Sequence, residues 1–260
     1  MIRVLLTGAS GFVGHHVLEH LLTHTNFEVI CPVRNISQRL VWLFEKYPEF
    51  GERVIYTQGF PTDVDITYII HCAANAQVVN TIEDPLTAVS DNVVFTANLL
   101  DYAKLHCKNL KRFVYISSGE VYGPNDTPRG SWTERNTLNC RSPYSGTKAA
   151  GEMLVASWAQ CYNIPSVILR AQNIYGPRQM PGKFFSLVVN AVLNNETITL
   201  HGNSEGETDS RAWLHVEDCA GAIEFLLDYP QANNVDTFNL GGELETNLLY
   251  TAQYIGELLG

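Results

Sequence analysis

The stretch "RVLLTGASGFVG", residues 3–14, decides the fold. "RVLLT" is a short apolar run with the character of a strand buried on both faces. The chain then passes through Gly8, Gly11 and Gly14 into "FVGHHVLEHLLTH", where Val13, Val17, Leu18, Leu21 and Leu22 share one helical face. Glycines between a strand and a helix suit a bound pyrophosphate. Gly8 permits a tight turn, Gly11 lets an anion reach the N–H groups that open the helix at Phe12 and Val13, and Gly14 lets helix and strand pack closely. A tight turn with no ligand is the plainer reading. Its place after the first strand of an alternating chain favours a dinucleotide.

The alternation continues outward. Further strand-like runs are "FEVICPV" (27–33), "RVIYT" (53–57), "TYIIHCA" (67–73), "RFVYIS" (112–117), "SVILRA" (166–171) and "DTFNL" (236–240). Between them "PLTAVSDNVVFTANLLDYAKLH" and "YSGTKAAGEMLVASWAQCY" carry the helical period. This predicts an α/β fold, a doubly wound parallel Rossmann sheet covered by helices on both faces. The pattern stops after Tyr175, in the Pro- and Gly-rich "GPRQMPGKFF". The expected division is a dinucleotide-binding domain at 1–172 and a smaller, interleaved substrate lobe at 173–260 that returns one strand, 236–240, to the sheet.

The bulk composition narrows the partners. The 260 residues are 45% hydrophobic and 17% charged, with a net charge of -10. A chain of this size buries roughly 70–75% of its unfolded surface, enough for a large core. The acidic balance disfavours nucleic acid and anionic membrane, both of which need a basic face. Cys31, Cys72, Cys107, Cys140, Cys161 and Cys219 form no CxxC pair and have no metal-ligand spacing. Scattered thiols suit a reducing compartment. The run "VLL" is too short for a secretory core and no apolar run approaches a membrane span, so a cytoplasmic, soluble protein is expected.

Three local patterns bear on chemistry. An NAD site usually carries an acidic residue at the end of the second strand. That place is Val33, and Arg34 follows, a side chain able to meet a 2′-phosphate by charge-assisted hydrogen bonds. NADP(H) is expected ahead of NAD(H), with a surface arginine closing a strand as the plainer alternative. "PYSGTK" puts Tyr144 and Lys148 one helical turn apart. An ammonium and an oxidised nicotinamide both favour the phenolate. Taken alone, the pair reads as an ordinary amphipathic helix. His16, His20 and His24 have metal-like spacing, but the helix packs on its Val/Leu face, so the stripe is expected to face solvent and no metal is expected.

In order along the chain, "TGASGFVG", "HCAA", "YISSGEVYG" and "YSGTK" together resemble the extended short-chain dehydrogenase/reductase family, the NAD(P)-dependent nucleotide-sugar epimerases and dehydratases. The resemblance covers nearly the whole chain. It implies that Tyr144 is the acid/base at sugar C4, that Lys148 holds the nicotinamide ribose, that Ser118 assists Tyr144, and that Ala73 and Ala74 line the cofactor. "RAQNIYGPRQMPGKFF" and "RAWLHVEDCAGAI" are similar to the family's diphosphate-gripping segments, which implies a nucleotide-diphosphate sugar held by Asn173, Lys183 and Arg211. It also implies a homodimer through helices at 85–106 and 144–163, which carry extra apolar positions at Phe95, Leu99, Met153 and Trp158.

Glu120 follows Ser118 by two residues. In the family's 4,6-dehydratases and uronic acid decarboxylases that place is Glu, whereas in the 4-epimerases it is small or neutral. Oxidation at C4 acidifies the C5 proton, a carboxylate removes it, and water leaves from C6. Glucose-type dehydratases place an Asp just before the Glu to protonate the leaving hydroxyl; here that place is Gly119. The implied reaction is 4,6-dehydratase-like, nearest the mannose-type pattern. A 4-epimerase or 4-keto-sugar reductase is the alternative. A non-catalytic dinucleotide sensor or scaffold is a further one, disfavoured because Ser118, Tyr144 and Lys148 are all present. There are three departures from the family pattern: the non-acidic Val33, the long "GNSEGETDSR" before Arg211, and an end at "YIGELLG" that reads as a fragment or a minimal version.

Overall fold

The computed structural model describes residues 1–124 and 131–260. The chain runs β1 (Arg3–Thr7), α1 (Phe12–His24), β2 (Glu28–Pro32), α2 (Gln38–Lys46), β3 (Val54–Thr57), β4 (Tyr68–His71), α3 (Val78–Glu83), α4 (Pro85–Val89) and α5 (Phe95–His106). A π-helical turn at Ser90–Val94 joins α4 to α5. Then come β5 (Arg112–Ser118), α6 (Pro143–Tyr162), β6 (Ser166–Ala171), β7 (Ile174–Tyr175), α7 (Phe184–Asn194), β8 (Ser210–Ala212) and β9 (Leu214–His215). The last elements are α8 (Val216–Asp228), β10 (Val235–Leu240), β11 (Glu245–Asn247) and α9 (Leu248–Leu259).

Seven strands form one sheet in the order β10-β6-β5-β4-β1-β2-β3, every pair parallel, as the alternation predicts. Both faces are covered because side chains alternate across a strand. Val4 and Leu6 of β1 pack with Val17, Leu21, Leu43 and Ile223, drawn from α1, α2 and α8. Leu5, between them, packs with Leu99, Leu100 and Val155, drawn from α5 and α6. The strand order reverses at β1 and β4, so the carboxyl ends of these strands, Thr7 and His71 in register, flank the crevice where such sheets bind ligands.

Two expectations are corrected. The histidine stripe of α1 does not face solvent as a whole. His24 is exposed, but His16 is 3% exposed and covered by the segment 176–180, and His20 pairs with Glu224 of α8 at 2.6 Å. Helix α1 is wrapped on two sides, by α8 and by that segment, so its polar positions are also enclosed. Leu99 is likewise not an outward apolar position of α5. It is fully buried, and Phe95 packs on Phe60 with ring centroids 5.7 Å apart. Apolar side chains exposed between α3 and α6 include Val79, Ile82, Leu86, Val89, Val94 and Met153.

Candidate active site

The glycine turn is held by contacts that leave no room for side chains. Gly8 has φ +77, and a Cβ there would lie 2.6 Å from Ala73 N; one on Gly14 would lie 2.1 Å from Gly8 O. Beyond this turn α1 starts at Phe12 with Gly11 as N-cap, no side-chain cap and no acid in its first turn. Its N–H end therefore keeps its positive character. A Cβ on Gly11 would meet only Gly8 O, at 3.1 Å, so the open side of the turn is space a side chain would fill. These features fit a dianionic pyrophosphate. Val13 turns down onto the core, Ala73 donates its N–H to Thr7 Oγ1 at 3.3 Å, and Ala74 is exposed beside it. Arg34 is exposed just past β2 and has no ion-pair partner among the described residues.

Strand β5 delivers Ser118 to the carboxyl edge of the sheet, and a short 3₁₀ turn at Gly119–Tyr122 carries Glu120 out to an exposed position. The Glu120 N–H donates to Ser118 Oγ at 3.2 Å. Helix α6 begins beside this turn. Pro143 fixes its first turn, and Ser142 and Ser145 form a capping box. Tyr144 stands in that first turn. Burial raises its phenol above the usual value, the neighbouring Ser118 hydroxyl works against this, and the nearby Glu120 charge raises it further. Lys148 lies one turn on, 2% exposed, with Nζ 4.3 Å over the ring of Tyr115. Burial pushes its ammonium down to about 8, opposed by Cys72 and Glu152. The structure thus gathers Ser118, Glu120, Tyr144 and Lys148 at the end of β5.

Two buried networks support these residues and were not legible as such in the sequence. In the first, His71 links the glycine turn to α6. Thr96 Oγ1 donates to Asn92 O at 2.6 Å, so His71 Nε2–H donates to Thr96 at 2.9 Å and His71 Nδ1 accepts from Thr7 at 2.8 Å. Burial, then Lys148, pushes His71 down to about 3, so it stays neutral. Asn92 Nδ2 donates to Thr147 Oγ1 at 2.9 Å, and Thr147 donates to Tyr144 O at 2.8 Å. In the second network, Glu152 on α6 is fully buried and takes Arg170 of β6 on both oxygens, the closest contact being 2.6 Å. Ser117 donates to the same carboxylate, and Arg170 also donates to Tyr122 Oη at 2.6 Å. Both ends of the Glu120 turn are therefore tied to the helix that carries Tyr144. One clue was available: Glu152 is four residues past Lys148, on the same face.

The three residues expected to grip a diphosphate are less converged. Asn173 donates through Nδ2 to Ala212 O at 3.3 Å. Lys183 is the exposed N-cap of α7. Arg211 turns back onto Asp209 at 3.0 Å. Near them Tyr175 stacks on Phe185 and Phe184 on Trp213, with centroids 4.2 Å and 5.3 Å apart.

The gathered Ser, Tyr and Lys beside an open glycine turn can be set against known proteins. A model described as the NAD dependent epimerase/dehydratase family matches residues 4–241. The chain belongs to this family. Among curated members it is 30% identical over 276 residues to a dTDP-D-glucose 4,6-dehydratase of Dictyostelium discoideum, covering 97% of this chain and 61% of that protein. It is 28% identical to the dTDP-glucose 4,6-dehydratase of Salmonella typhimurium, covering 99% and 77%. Among solved structures, a mutant UDP-glucuronic acid 4-epimerase from Bacillus cereus, in complex with UDP-4-deoxy-4-fluoro-glucuronic acid and NAD, is 26% identical with a TM-score of 0.86, covering 100% of this chain and 83% of that one. The dTDP-glucose 4,6-dehydratase of Streptomyces venezuelae, with NAD bound, is 27% identical with a TM-score of 0.84, covering 100% and 81%. No helix among the described residues is long and apolar enough to cross a membrane.

Proposed function

We propose that this family member is a 4,6-dehydratase-like enzyme acting on a nucleotide-diphosphate sugar, with NADP(H) preferred over NAD(H). The observation that carries the reading is the placement of Glu120, exposed two residues past Ser118 and near enough to Tyr144 for its charge to act on the phenol. Residues 1–172 hold the dinucleotide, through the Gly8–Gly14 turn, Ala73, Ala74 and Lys148, and Arg34 meets the 2′-phosphate. Residues 173–260 hold the nucleotide sugar, with Asn173, Lys183 and Arg211 as the groups that bind its diphosphate once Arg211 leaves Asp209. Two copies pair through the exposed apolar face of α3–α6.

A dinucleotide held by the Gly8–Gly14 turn and Lys148 would supply hydride chemistry, uptake from sugar C4 and return at C6. Tyr144, as phenolate, takes the C4 hydroxyl proton, and Ser118 hydrogen-bonds the oxygen as it becomes a carbonyl. The buried Lys148 ammonium favours that phenolate and presents a donor to a ribose hydroxyl. Glu120 removes the C5 proton once the ketone has acidified it, and water leaves from C6. The 4-epimerase reading is kept by one observation, the glycine at 119 in place of an acid.

The test uses dTDP-glucose, UDP-glucose, GDP-mannose and UDP-glucuronic acid as probes in deuterated water. A dehydratase substrate gains deuterium at C5. Glu120→Gln should keep C4 oxidation and slow elimination by roughly 10²–10⁴. Tyr144→Phe should abolish both steps. Full turnover by Glu120→Gln, with no exchange at C5, would leave the 4-epimerase reading standing.

A further inference from the structure

Gly119 separates Ser118 from Glu120, and another side chain occupies the space beside it. A Cβ on Gly119 would lie 2.1 Å from Gln172 Nε2 and 2.5 Å from both Cδ and Oε1. The carboxamide of Gln172 therefore fills the volume that any side chain at 119 would enter. Strand register explains this. Ser118 pairs with Ala171 across β5 and β6, so Gly119 and Gln172 leave adjacent strands side by side at the carboxyl edge of the sheet. The Gln172 backbone is fixed by its N–H to Leu240 O at 2.8 Å, and its stem lies against Gly241. Gln172 is half-buried, and its carboxamide is not among the polar groups sealed from solvent without a partner.

We infer that Gln172 is a substrate-contacting, specificity-determining residue whose carboxamide reads the C6 substituent of the sugar from the position an acid at 119 would hold. This rests on the dehydratase reading above. A carboxamide offers an N–H donor and a carbonyl acceptor, but no proton to give up. The proton for the departing C6 oxygen then comes from Glu120. Glu120 takes the C5 proton as the C5–H bond breaks. The C5–C6 double bond forms and the C6–O bond breaks. The same carboxyl then passes its proton to the departing oxygen, which leaves as water and returns Glu120 to the carboxylate. Nothing is oxidised or reduced in this step. Gln172 donates to the C6 oxygen and holds it on the Glu120 side, so that the proton taken at C5 and the group lost at C6 share one face.

Two variants displace the same carboxamide by different routes. Gln172→Leu keeps the size and removes the hydrogen bonding. Gly119→Ala leaves Gln172 intact, but its Cβ pushes the flexible amide aside. Each should slow elimination on the order of tenfold, with C4 oxidation retained. The double variant Gly119→Ala/Gln172→Leu should be no slower than the worse single one, because both act on one contact. Elimination at the unmutated rate in Gln172→Leu overturns the inference, and so do losses that multiply in the double variant. Glu120→Gln run alongside keeps the two readings apart. If it turns over fully, the dehydratase reading falls. If it is blocked at elimination while Gln172→Leu is not, only the role of Gln172 falls.

Discussion

Replacing Lys148 by methionine should stabilise the chain stripped of dinucleotide while abolishing turnover. The ammonium is 2% exposed, and its one strong contact among the described residues is the face of Tyr115, 4.3 Å away. Burial lowers its proton affinity from the ordinary 10.5 to about 8. At about 1.4 kcal/mol for each tenfold change, holding the charge inside costs about 3 kcal/mol at neutral pH. Losing the contact with Tyr115 gives back about 1 kcal/mol. The net gain of about 2 kcal/mol corresponds to a rise of about 5 °C in Tm. The pH dependence has a definite sign. Unfolded, the lysine keeps its proton up to 10.5; folded, only to about 8. Between these values the unfolded chain binds more protons, so the unmutated protein gains stability as pH rises. The advantage of Lys148→Met is therefore full below about pH 8 and lost by about pH 10.5. Urea unfolding of both proteins at about pH 7 and about pH 10, at one ionic strength, measures it. Equal stability at neutral pH, or a difference that does not change with pH, would refute the reasoning. The same variant should fail to turn over, since a thioether cannot donate to a ribose hydroxyl.

Arg34→Ala should weaken NADP⁺ binding by on the order of 1.5–3 kcal/mol and leave NAD⁺ binding nearly unchanged; calorimetry showing equal dissociation constants for the two in the unmutated protein would count against the 2′-phosphate role. Arg170→Met leaves the fully buried Glu152 without its partner and should destabilise the fold by about 3–5 kcal/mol, read by urea unfolding. Arg170→Met combined with Glu152→Met should recover much of that, and a single-variant loss below about 1 kcal/mol would show that the pair is not effectively desolvated. Light scattering at micromolar concentration should give twice the chain mass, and Leu86→Asp on the exposed α4 surface should halve it. A monomeric mass for the unmutated protein removes the dimer.

The sheet was legible because its strands are buried on both faces, which writes apolar runs such as "RVLLT" and "SVILRA" into the chain. The pairs β7–β9 and β8–β11 were not, because two or three residues are too few to show a period. Helix α2 was hidden by its length of nine residues and its mixed polarity. Of the candidate site, Ser118, Glu120, Tyr144 and Lys148 could be found because each lies in a short segment whose spacing carries chemistry. Gln172, His71 and Arg170 could not be given their places, because each is defined by a partner on another strand or helix. Gln172 meets Gly119 only through the register of β5 with β6. The histidine stripe misled because helical period names a face, and α1 has more than one face covered.

Arg178 bears on how proteins of this build can be recombined. It holds a left-handed backbone, φ +62, and sends its side chain across to α1 and α2. Its guanidinium donates to His15 at 2.7 Å, to His16 at 3.1 Å and to Glu19 at 2.6 Å, and lies 3.8 Å over Trp42. Arg39 donates back to its carbonyl at 2.9 Å. A chimaera joining residues 1–172 of this chain to the later segment of a relative would keep β10 on the sheet, since that pairing runs through backbone groups any sequence supplies. It would keep this latch only if the incoming segment also carried an arginine at this place, since His15, His16, Glu19 and Trp42 all stay behind in residues 1–172. The unit of exchange is thus discontinuous in sequence, and a crossover at the apparent boundary cuts through it.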